Sequence, residues 1–514
     1  MKRVNPLQRA ASLAGAILFL SCVGPDLASA QSSEAATPIG SRLELFEDNA
    51  LVESMTGVTL QLHRPIPAEK VITSDAPWEG NNIHYITVLK DGDLYRMYYR
   101  AVPGLVPASG AGWALYVAYA ESRDGVHFTK PSLGLIEYQG SKANNIIYGT
   151  GATPGPVDAQ RQKVSPWTLP AANFTPFIDA NPAARPAERY KATGGIGAGL
   201  YALVSADGIH WTQKGATPII AQEVRPKPNN LFDSQNSVFW DTVQKQYVAY
   251  LRDSYPLPGN GETTRAIRRA VSKDFLTWSE PEWISFGNQP INQFYTNAIT
   301  PYFRAPHIYL GFPMRFLLSR NAKLPAEYDA LRGKGLSDSV FISSRDGTNF
   351  SRRFLGAFVA PGPDPLNWTD RNNAVVLGLV PTGTDEMSVY YVQHNRLPSS
   401  HVRRGVLRLD GIVSANAPYE GGELVTRPIV FSGRTLVVNY ATSAAGYLRV
   451  ELQDAGGQPL PGFALKDSLE LFGDSVRQTI AWDGNPDLKR VAGKPVRVRF
   501  VMKDADLYSY QFQE

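Results

Sequence analysis

The sequence predicts an all-β protein in which a five-bladed β-propeller is followed by a C-terminal β-sandwich domain. A turn phrase recurs along the chain, for example as Ser205-Ala-Asp-Gly-Ile-His-Trp and Ser344-Arg-Asp-Gly-Thr-Asn-Phe, between short apolar or β-branched runs. An Asp-Gly turn in this setting is typical of a β-hairpin with a fixed register. Glycine (44) and proline (38) are frequent, and no stretch shows sustained helical periodicity, which favours a turn-rich all-β chain.

The aspartates of the turn phrase are spaced as propeller blades would space them. They are Asp124, Asp207, Asp274, Asp346 and, in a weaker copy, Asp410, so the successive intervals are 83, 67, 72 and 64 residues. Such intervals are too long for a solenoid repeat and suit four strands with long loops. Five copies therefore predict five blades.

The predicted strands group into five blades and a final segment of different character. The blades cover residues 84–120, 144–204, 231–271, 293–344 and 373–409, and the Pro-, Gly- and Ala-rich residues 150–176 are predicted to form a long loop. After Ala417 the turn phrase disappears, and strand-like runs alternate apolar and polar residues. This pattern fits an antiparallel sandwich, so we expect a propeller over residues 31–417 and a sandwich over residues 418–514.

The first 30 residues have the pattern of a secretory signal peptide. Three basic residues accompany an apolar run over residues 10–23, and Ala28-Ser-Ala30 offers a small-residue cleavage site. We therefore expect export to the periplasm or the extracellular space, with a mature chain that begins at Gln31. Phe19-Leu-Ser-Cys22 loosely resembles a lipoprotein processing site, which leaves lipid anchoring through Cys22 as an alternative.

The composition limits the cofactors and partners of the mature chain. Cys22 is the only cysteine, so the mature chain would have neither disulfides nor zinc-thiolate sites. We predict no cofactor and no metal site, although a calcium ion held by channel carbonyls would leave no mark in the sequence. The formal charge of the full sequence is +4 and no basic stripe stands out, so nucleic acid is not an expected partner. No later apolar stretch predicts a transmembrane segment, and the oligomeric state has no sequence signal.

The predicted architecture resembles that of glycoside hydrolase family 32, and its propeller part resembles families 43, 68 and 130. Phe232-Asp-Ser-Gln-Asn-Ser-Val-Phe-Trp-Asp241 is similar to the Arg-Asp-Pro strand of these families, although the arginine and proline are absent. Leu45-Phe-Glu-Asp-Asn49 is similar to the Leu-Phe-x-Asp-Asp phrase that opens bacterial family-32-like proteins. The nucleophile and acid motifs of family 32 have no counterpart. The resemblance implies a secreted, carbohydrate-active propeller and leaves its substrate open.

Four carboxyl groups on predicted inner strands are candidate catalytic residues. Inner strands line the channel of a propeller, and cleavage of a glycosidic bond uses two carboxyls, one as acid and one as nucleophile or base. We expect Asp233, in Asp-Ser-Gln-Asn, to orient or stabilise the reacting groups. Glu79 beside Trp78 is the expected acid, because an apolar neighbour raises the pKa of a carboxyl. Asp338 or Asp370 is the expected nucleophile or base.

Each of these carboxyls also has a structural interpretation. Asp233 would form an Asx turn at a strand start, and Glu79 would be a solvated loop residue. Asp338 would cap its strand, and Asp370 would pair with Arg371.

Polar side chains around these carboxyls are candidate substrate-binding residues. Asn, Gln, Arg and Tyr supply the directional donors and acceptors that a hydroxyl-rich ligand requires, and tryptophan offers a stacking surface. The set comprises Trp78, Asn82, His84, Gln235, Asn236, Tyr295, Asn297, Arg315, Arg371 and Asn372.

Together these features predict a secreted glycoside hydrolase that acts on a plant or microbial oligo- or polysaccharide, with a furanosidic sugar such as a fructan or arabinan favoured. Two alternatives remain. A non-catalytic glycan-binding propeller would have a channel lined by amides and arginines without a suitable carboxyl pair. A scaffold propeller that binds another protein would present a flat apolar face and no deep polar pocket.

Overall fold

The computed structural model describes residues 35–104, 115–149, 171–196, 198–221, 231–257, 262–322, 324–331, 333–485 and 487–514. The predicted signal peptide, Cys22 and residues 150–170 of the predicted loop lie outside this part of the chain. Residues Ala36–Glu514 form one compact unit.

The described residues are nearly all β, as the sequence predicts. They contain no α-helix, only short 3₁₀ turns at Pro186–Glu188, Ala326–Leu331, Pro365–Asn367 and Leu465–Asp467. Within them, no helix has the length and apolar character that a membrane crossing requires.

Five strands come first in the described chain. They are β1 (Thr37–Gly40), β2 (Leu43–Leu45), β3 (Val52–Thr56), β4 (Thr59–Leu62) and β5 (Ile66–Thr73). The first four pair with strands from the C-terminal end of the chain, and β5 pairs with the last strand before that end begins.

The next strands form three antiparallel sheets, one after another. Sheet 1 contains β6 (His84–Asp91), β7 (Leu94–Ala101), β8 (Tyr116–Ser122) and β9 (Ile146–Gly149). Sheet 2 contains β10 (Thr175–Ile178), β11 (Tyr190–Gly194), β12 (Gly199–Ser205), β13 (Thr212–Lys214) and β14 (Ile220–Ala221). Sheet 3 contains β15 (Ser237–Asp241), β16 (Gln246–Pro256), β17 (Thr263–Ser272) and β18 (Glu282–Trp283).

Two further groups of strands complete this series. Sheet 4 contains β19 (Thr300–Tyr302), β20 (Ala305–Gly311) and β23 (Ile342–Ser344), with β21 (Met314–Asn321) and β22 (Lys334–Ser339) as a separate pair. Sheet 5 contains β24 (Val380–Pro381), β25 (Glu386–Gln393) and β26 (His401–Arg408), and β5 supplies its outer strand. Sheet 5 therefore combines β24 to β26 with β5, a strand that precedes sheet 1 in the chain.

The first strands of sheets 1 to 4 are neighbours in series, and the first strand of sheet 5 lies beside that of sheet 1. Strand β10 contacts both β6 and β15, β15 contacts β19, and β24 contacts β6. A parallel bridge between Thr87 and Leu377 also joins sheet 1 to residues that precede β24. The hydroxyl of Ser339 on β22 donates to the carbonyl of Asn373 at 2.7 Å, which connects the fourth group to the fifth. The series thus follows a cyclic order in which the fifth sheet returns to the first.

The turn phrase forms the predicted hairpins. Across one copy, β12 pairs antiparallel with β13, with Leu203 opposite Gln213. Asp207 Oδ1 accepts hydrogen bonds from the backbone N–H groups of Ile209 and His210 at 2.9 Å, as an Asx turn requires. The copies at Asp124, Asp274 and Asp346 have the same pattern of backbone bonds.

The weaker fifth copy has a different environment. Asp410 is buried in the left-handed region with φ 60°, and its carboxylate receives hydrogen bonds from Ser509 and Tyr302. Because Ser509 belongs to the C-terminal strands, this copy joins them to sheet 4 rather than forming a solvent-exposed turn.

The C-terminal strands form one hydrogen-bonded sheet of ten strands, called the large sheet here. Its strands are β27 (Val413–Ala417), β28 (Gly422–Thr426), β29 (Ile429–Phe431), β30 (Thr435–Asp454), β31 (Asp474–Thr479), β32 (Pro495–Gln513) and β1 to β4. The contribution of β1 to β4 was not anticipated, because strand pairing over such a sequence distance leaves no local pattern. The boundaries at residues 417 and 418 stay a prediction.

Alternation of residue type fixes which face of the large sheet is buried. On β32, Val496, Val498 and Phe500 are buried and alternate with the less buried Arg497 and Arg499. Apolar side chains on one face drive this packing, since each buried large side chain contributes about 1.5–3 kcal/mol.

Candidate functional site

Two tyrosines meet where the first strands of sheets 1 and 4 begin. Tyr85 lies on β6, Tyr295 precedes β19, and their phenolic oxygens are 3.4 Å apart. Both side chains are buried. Tyr85 has φ 50°, and Arg371, which reaches the same pair, has φ 60°. Left-handed backbone is costly for bulky residues and often accompanies a functional constraint.

Four guanidinium groups surround this tyrosine pair. The Cζ of Arg100 lies 4.4 Å from the ring centre of Tyr85. The Cζ atoms of Arg252, Arg265 and Arg371 lie 5.5, 5.2 and 5.2 Å from the ring centre of Tyr295. Arg371 Nε also donates a hydrogen bond to the Tyr295 hydroxyl at 3.3 Å. Cations at these distances are attracted to the ring and stabilise negative charge on its oxygen.

The two tyrosines have opposite pKa shifts. Burial raises the pKa of Tyr85 well above its usual value, and its neighbour Tyr295 raises it further. Burial and the Asp233 carboxylate act to raise the pKa of Tyr295. The guanidiniums of Arg371 and Arg252 and the hydrogen bond from Tyr85 outweigh them and lower that pKa below its usual value of 10.0. Tyr85 therefore acts as the donor in the pair, and Tyr295 is the hydroxyl that ionises more readily.

Asp233 is the accessible carboxyl of the site. It lies in the loop before β15, and its Oδ2 is 2.9 Å from Arg252 Nη1, which also donates to the Asp233 carbonyl at 3.0 Å. Its side chain is 39% exposed, whereas those of Asp338, Asp370 and Glu79 are 13%, 3% and 0% exposed. Of the four predicted carboxyls, only Asp233 presents a large part of its side chain to solvent.

Asp370 is buried between two arginines. Its Oδ2 lies 2.8 Å from Arg371 Nη1 and 3.0 Å from Arg396 Nη1. Arg396 also has a positive φ of 68°, and its backbone N–H donates to the Asn81 carbonyl at 2.7 Å. The carboxylate thus holds Arg371 against Tyr295, as its structural interpretation anticipated in part.

Asp338 pairs with Arg315 across two neighbouring strands. The residues are direct partners in the β21–β22 register, and Arg315 Nε and Nη2 donate to the two carboxylate oxygens at 2.8 and 2.5 Å. Arg315 also donates to the Leu355 carbonyl at 3.0 Å. This fork-shaped pair satisfies both oxygens of Asp338.

The oxygens of Glu79 are occupied by donors of the protein itself. Its oxygens receive the Tyr99 hydroxyl at 2.6 Å, the Lys130 ammonium at 2.8 Å and the backbone N–H groups of Asp75 and Ala76. No hydrogen bond or ion pair joins Glu79 to the tyrosine pair among the residues that the structure describes. Its neighbour Trp78 donates to Asn145 Oδ1 at 2.7 Å and is partly buried.

The predicted binding residues Asn82 and His84 lie next to Arg100, one of the four arginines around the tyrosine pair. Asn82 Oδ1 accepts a hydrogen bond from Arg100 Nη2 at 2.9 Å. His84 Nδ1 accepts the backbone N–H of Tyr85, so the buried ring carries its proton on Nε2, on the side of the Arg371 backbone. Burial and the guanidiniums of Arg100 and Arg371 hold the pKa of His84 well below its usual value.

The remaining predicted amides brace backbone rather than face outward. Gln235 donates to the Ile86 carbonyl at 3.0 Å, and Asn236 Oδ1 accepts the backbone N–H of Arg252 at 2.9 Å. Asn297 donates to the Tyr250 carbonyl at 3.0 Å, and Asn372 Oδ1 accepts the backbone N–H of Asn395 at 2.7 Å. These side chains fix the loops that carry the tyrosines and arginines.

Several members of the site were not predicted, namely Tyr85, Arg100, Arg252, Arg265 and Arg396. One sequence signal was available for two of them. Arg100 and Arg252 each end an apolar strand run, five residues after Tyr95 and Tyr247, and a charge at the end of a buried strand needs a partner.

No three His, Cys, Asp or Glu side chains come together as metal ligands within the described ranges. The absence of a metal and of a cofactor stays a prediction.

Comparison with known proteins found no matching family model and no matching curated protein. Among solved structures, the chain is similar to a glycoside hydrolase family 43 arabinoxylan arabinofuranohydrolase from Bacillus subtilis in complex with cellotetraose, with 14% identity, a TM-score of 0.42 and coverage of 85% of this chain and 96% of that one. It is also similar to a glycosyl hydrolase from Bacteroides ovatus, with 15% identity, a TM-score of 0.42 and coverage of 68% and 93%. A likeness at this identity and TM-score leaves the function to be inferred from the site.

Proposed function

We propose that the protein is an exported glycoside hydrolase whose active site is centred on Asp233, Tyr295 and Tyr85. The observation that carries the proposal is the partly exposed Asp233 carboxylate, whose partner Arg252 also lies over the ring of Tyr295, a phenol whose pKa is lowered by guanidiniums. Groups with shifted pKa values that share a site with an accessible carboxylate are typical of acid–base catalysis. The mature chain of this proposal begins at Gln31.

We propose that the five sheets are the blades of a five-bladed β-propeller and that the large sheet is the sandwich domain. The contacts of β10 with β6 and β15, of β15 with β19 and of β24 with β6 support the propeller, because inner strands of neighbouring blades are adjacent in that fold. The hydrogen bond from Ser339 to Asn373 joins the fourth group to the fifth. The active site then lies at one mouth of the channel, where the first strands begin.

In the proposed reaction, Asp233 and Tyr295 act as base and acid. The Asp233 carboxylate accepts a proton from water while the water oxygen bonds to the anomeric carbon and the glycosidic C–O bond breaks. Tyr295 gives its phenolic proton to the leaving oxygen, and exchange with solvent restores both groups. Tyr85 and Arg371, which donate to the Tyr295 oxygen, stabilise the phenolate. A single displacement of this kind inverts the anomeric configuration.

The other predicted carboxyls have positioning roles in this proposal. Asp370 holds Arg371, Asp338 holds Arg315, and Glu79 holds Lys130 and Tyr99. An aspartate or glutamate whose oxygens are occupied by protein donors has few lone pairs left for substrate or water.

A glycan-binding protein without catalysis is the second candidate. It is favoured by the observation that all four predicted carboxyls pair with an arginine or a lysine and that three of them are largely buried, while arginines surround the site. Binding of a glycan by both the wild-type chain and Asp233→Asn, without sugar release, would select this candidate.

The test is hydrolysis by the chain from residue 31 to residue 514 on fructans, arabinans, uronic-acid glycans and aryl glycosides. We expect sugar release by the wild type and a loss of about 10²–10⁴-fold in kcat for Asp233→Asn. Asp93→Asn, at an exposed turn, is the matched control and should keep full activity. Full activity of Asp233→Asn would contradict the proposal.

A further inference from the structure

We propose that the sugar bound at this site carries an anionic oxygen group, a carboxylate or a sulfate ester, and that the guanidiniums of Arg265 and Arg371 bind it. This inference rests on the proposed function and names the substrate class of the same site.

Arg265 has no carboxylate partner of its own, since Asp233, the acidic group that acts on it, is paired with Arg252. It lies on β17 with its Cζ 5.2 Å from the ring centre of Tyr295 and 5.0 Å from that of Phe316. Its Nη1 donates to the side-chain oxygen of Gln293 at 2.5 Å, and its Nε is buried without a hydrogen-bond partner. Across the described ranges, no carboxylate forms an ion pair with it.

Arg371 is only partly neutralised. Its carboxylate partner, Asp370, also pairs with Arg396, so one negative charge is shared by two guanidiniums. The side chain of Arg371 is 25% exposed, in contrast to 4% for Arg396. Arg371 is therefore the member of the pair that a ligand entering from solvent can reach.

The guanidiniums around Tyr295 hold positive charge in a buried place, where an unpaired charge is unfavourable. Burial and the nearby guanidiniums of Arg252 and Arg371 lower the pKa of Arg265, and they outweigh the opposite effects of Tyr295 and Asp233. This is the effect expected when like charges are crowded together. Removing charge from water costs several kcal/mol per ion unless an opposite charge is close. A bound anion would supply that opposite charge.

The shape of the donors points to an oxygen anion. A guanidinium presents a planar fork of N–H groups that matches a carboxylate or sulfate, and Arg265 and Arg371 both lie over the ring of Tyr295. A neutral sugar hydroxyl would leave the surplus charge in place.

The test is binding measured by titration calorimetry with matched pairs of oligosaccharides. Galacturonate, glucuronate and mannuronate oligomers are each compared with their methyl esters, which have the same size and linkage but no charge. Sulfated galactan oligomers with their desulfated forms make the second arm. Proteins are the wild type, Arg265→Gln, Arg265→Lys and the control Arg320→Gln, which replaces an exposed arginine.

We expect the wild type to bind at least one acid at least about 10-fold more tightly than its neutral partner, with the preference weakening as NaCl rises from about 50 mM to about 500 mM. Arg265→Gln should remove most of this preference, Arg265→Lys should keep part of it, and Arg320→Gln should leave it unchanged. Preference for uronates alone or for sulfated oligomers alone identifies the source of the anionic group.

Equal binding of charged and neutral partners by the wild type, or an unchanged preference in folded Arg265→Gln, would overturn the inference. Hydrolysis of a neutral glycan with no preference for charged ones would overturn it and leave the hydrolase intact. Preferred binding of an acid without hydrolysis of any substrate would support the anion site and contradict the hydrolase.

Discussion

The phenolic oxygens of Tyr85 and Tyr295 lie 3.4 Å apart, and their pKa values shift in opposite directions. Both rings are buried, so the difference comes from charge rather than from solvent access. The guanidiniums of Arg371 and Arg252 act on Tyr295, whereas burial dominates at Tyr85. Two chemically identical side chains are thereby given the distinct roles of donor and ionisable acid.

Replacing Tyr295 should change the pH profile as well as the rate. If its phenol must be protonated to donate, activity falls as the pH rises through its pKa, which lies below 10.0. Tyr295→Phe should lower kcat by about 10²–10⁴-fold and remove this alkaline limb. Tyr85→Phe, which deletes a donor to the phenolate, should move the limb to higher pH. The readout is kcat against pH, with Tyr419→Phe at an exposed position as control. An alkaline limb that survives in Tyr295→Phe would assign it to another group.

Binding of the anionic sugar should raise the pKa of Tyr295. A negative charge held by Arg371 and Arg265 offsets the guanidiniums that favour the phenolate. Ultraviolet difference spectra of the wild type minus Tyr295→Phe, recorded with and without a uronate oligomer, report the ionisation directly. The methyl ester of the same oligomer should produce no shift, and an equal shift from both would contradict the expectation.

Asp370→Asn should destabilise the protein far more than Asp338→Asn. The first change leaves the buried guanidinium of Arg396 without its carboxylate, which costs about 3–5 kcal/mol. The pair of Asp338 and Arg315 is more exposed, so its loss should cost about 1–2 kcal/mol. Urea denaturation measures both free energies of unfolding. Similar values for the two variants would show that Asp370 is not needed to balance the buried charge.

The turn aspartates should contribute to stability and not to catalysis. Asp207→Ala removes two backbone hydrogen bonds and the contact with Ser205, at a cost of about 1–2 kcal/mol. Activity per folded molecule should stay at the wild-type level. Thermal unfolding and kcat are the measurements, and Asp93→Ala at an exposed turn serves as control. A loss of kcat without a loss of stability would give the turn a functional role.

His401 should make the fold sensitive to acid. Burial lowers its pKa from 6.5 in the unfolded chain to about 4 in the folded protein. The unfolded state therefore binds a proton first, and the stability present above pH 6.5 is lost as the pH falls toward 4, by up to about 2–3 kcal/mol. The free-energy difference between wild type and His401→Gln, measured from pH 7 to pH 4, should shift in favour of the variant. A difference independent of pH would rule out this linkage.

The local pattern was enough to predict the strands and turns. The first predicted blade begins at residue 84, where β6 begins, and the hairpins of the turn phrase are confirmed. The Asp-Gly phrase works because its hydrogen bonds join residues two or three apart. Any chain with this local sequence can form them.

The site was predicted only in part, because its members are distant in sequence. Asp233, Tyr295 and Arg371 were named from strand position and residue type, but Tyr85, which is 210 residues from Tyr295, and Arg265 were not. These residues come together only because the strands that carry them begin side by side in the fold.

By itself, the sequence determined an all-β chain with repeated capped hairpins and a set of polar residues at the beginnings of its strands. The tertiary structure decided which carboxyl is accessible, which carboxyls are locked by arginines and which phenol ionises more readily. The physical reason is that hydrogen bonds in turns are short-range in sequence. Burial and electrostatic interactions depend on distance in space. Only the folded chain brings the guanidiniums of Arg252, Arg265 and Arg371 within 5.2–5.5 Å of the ring centre of Tyr295.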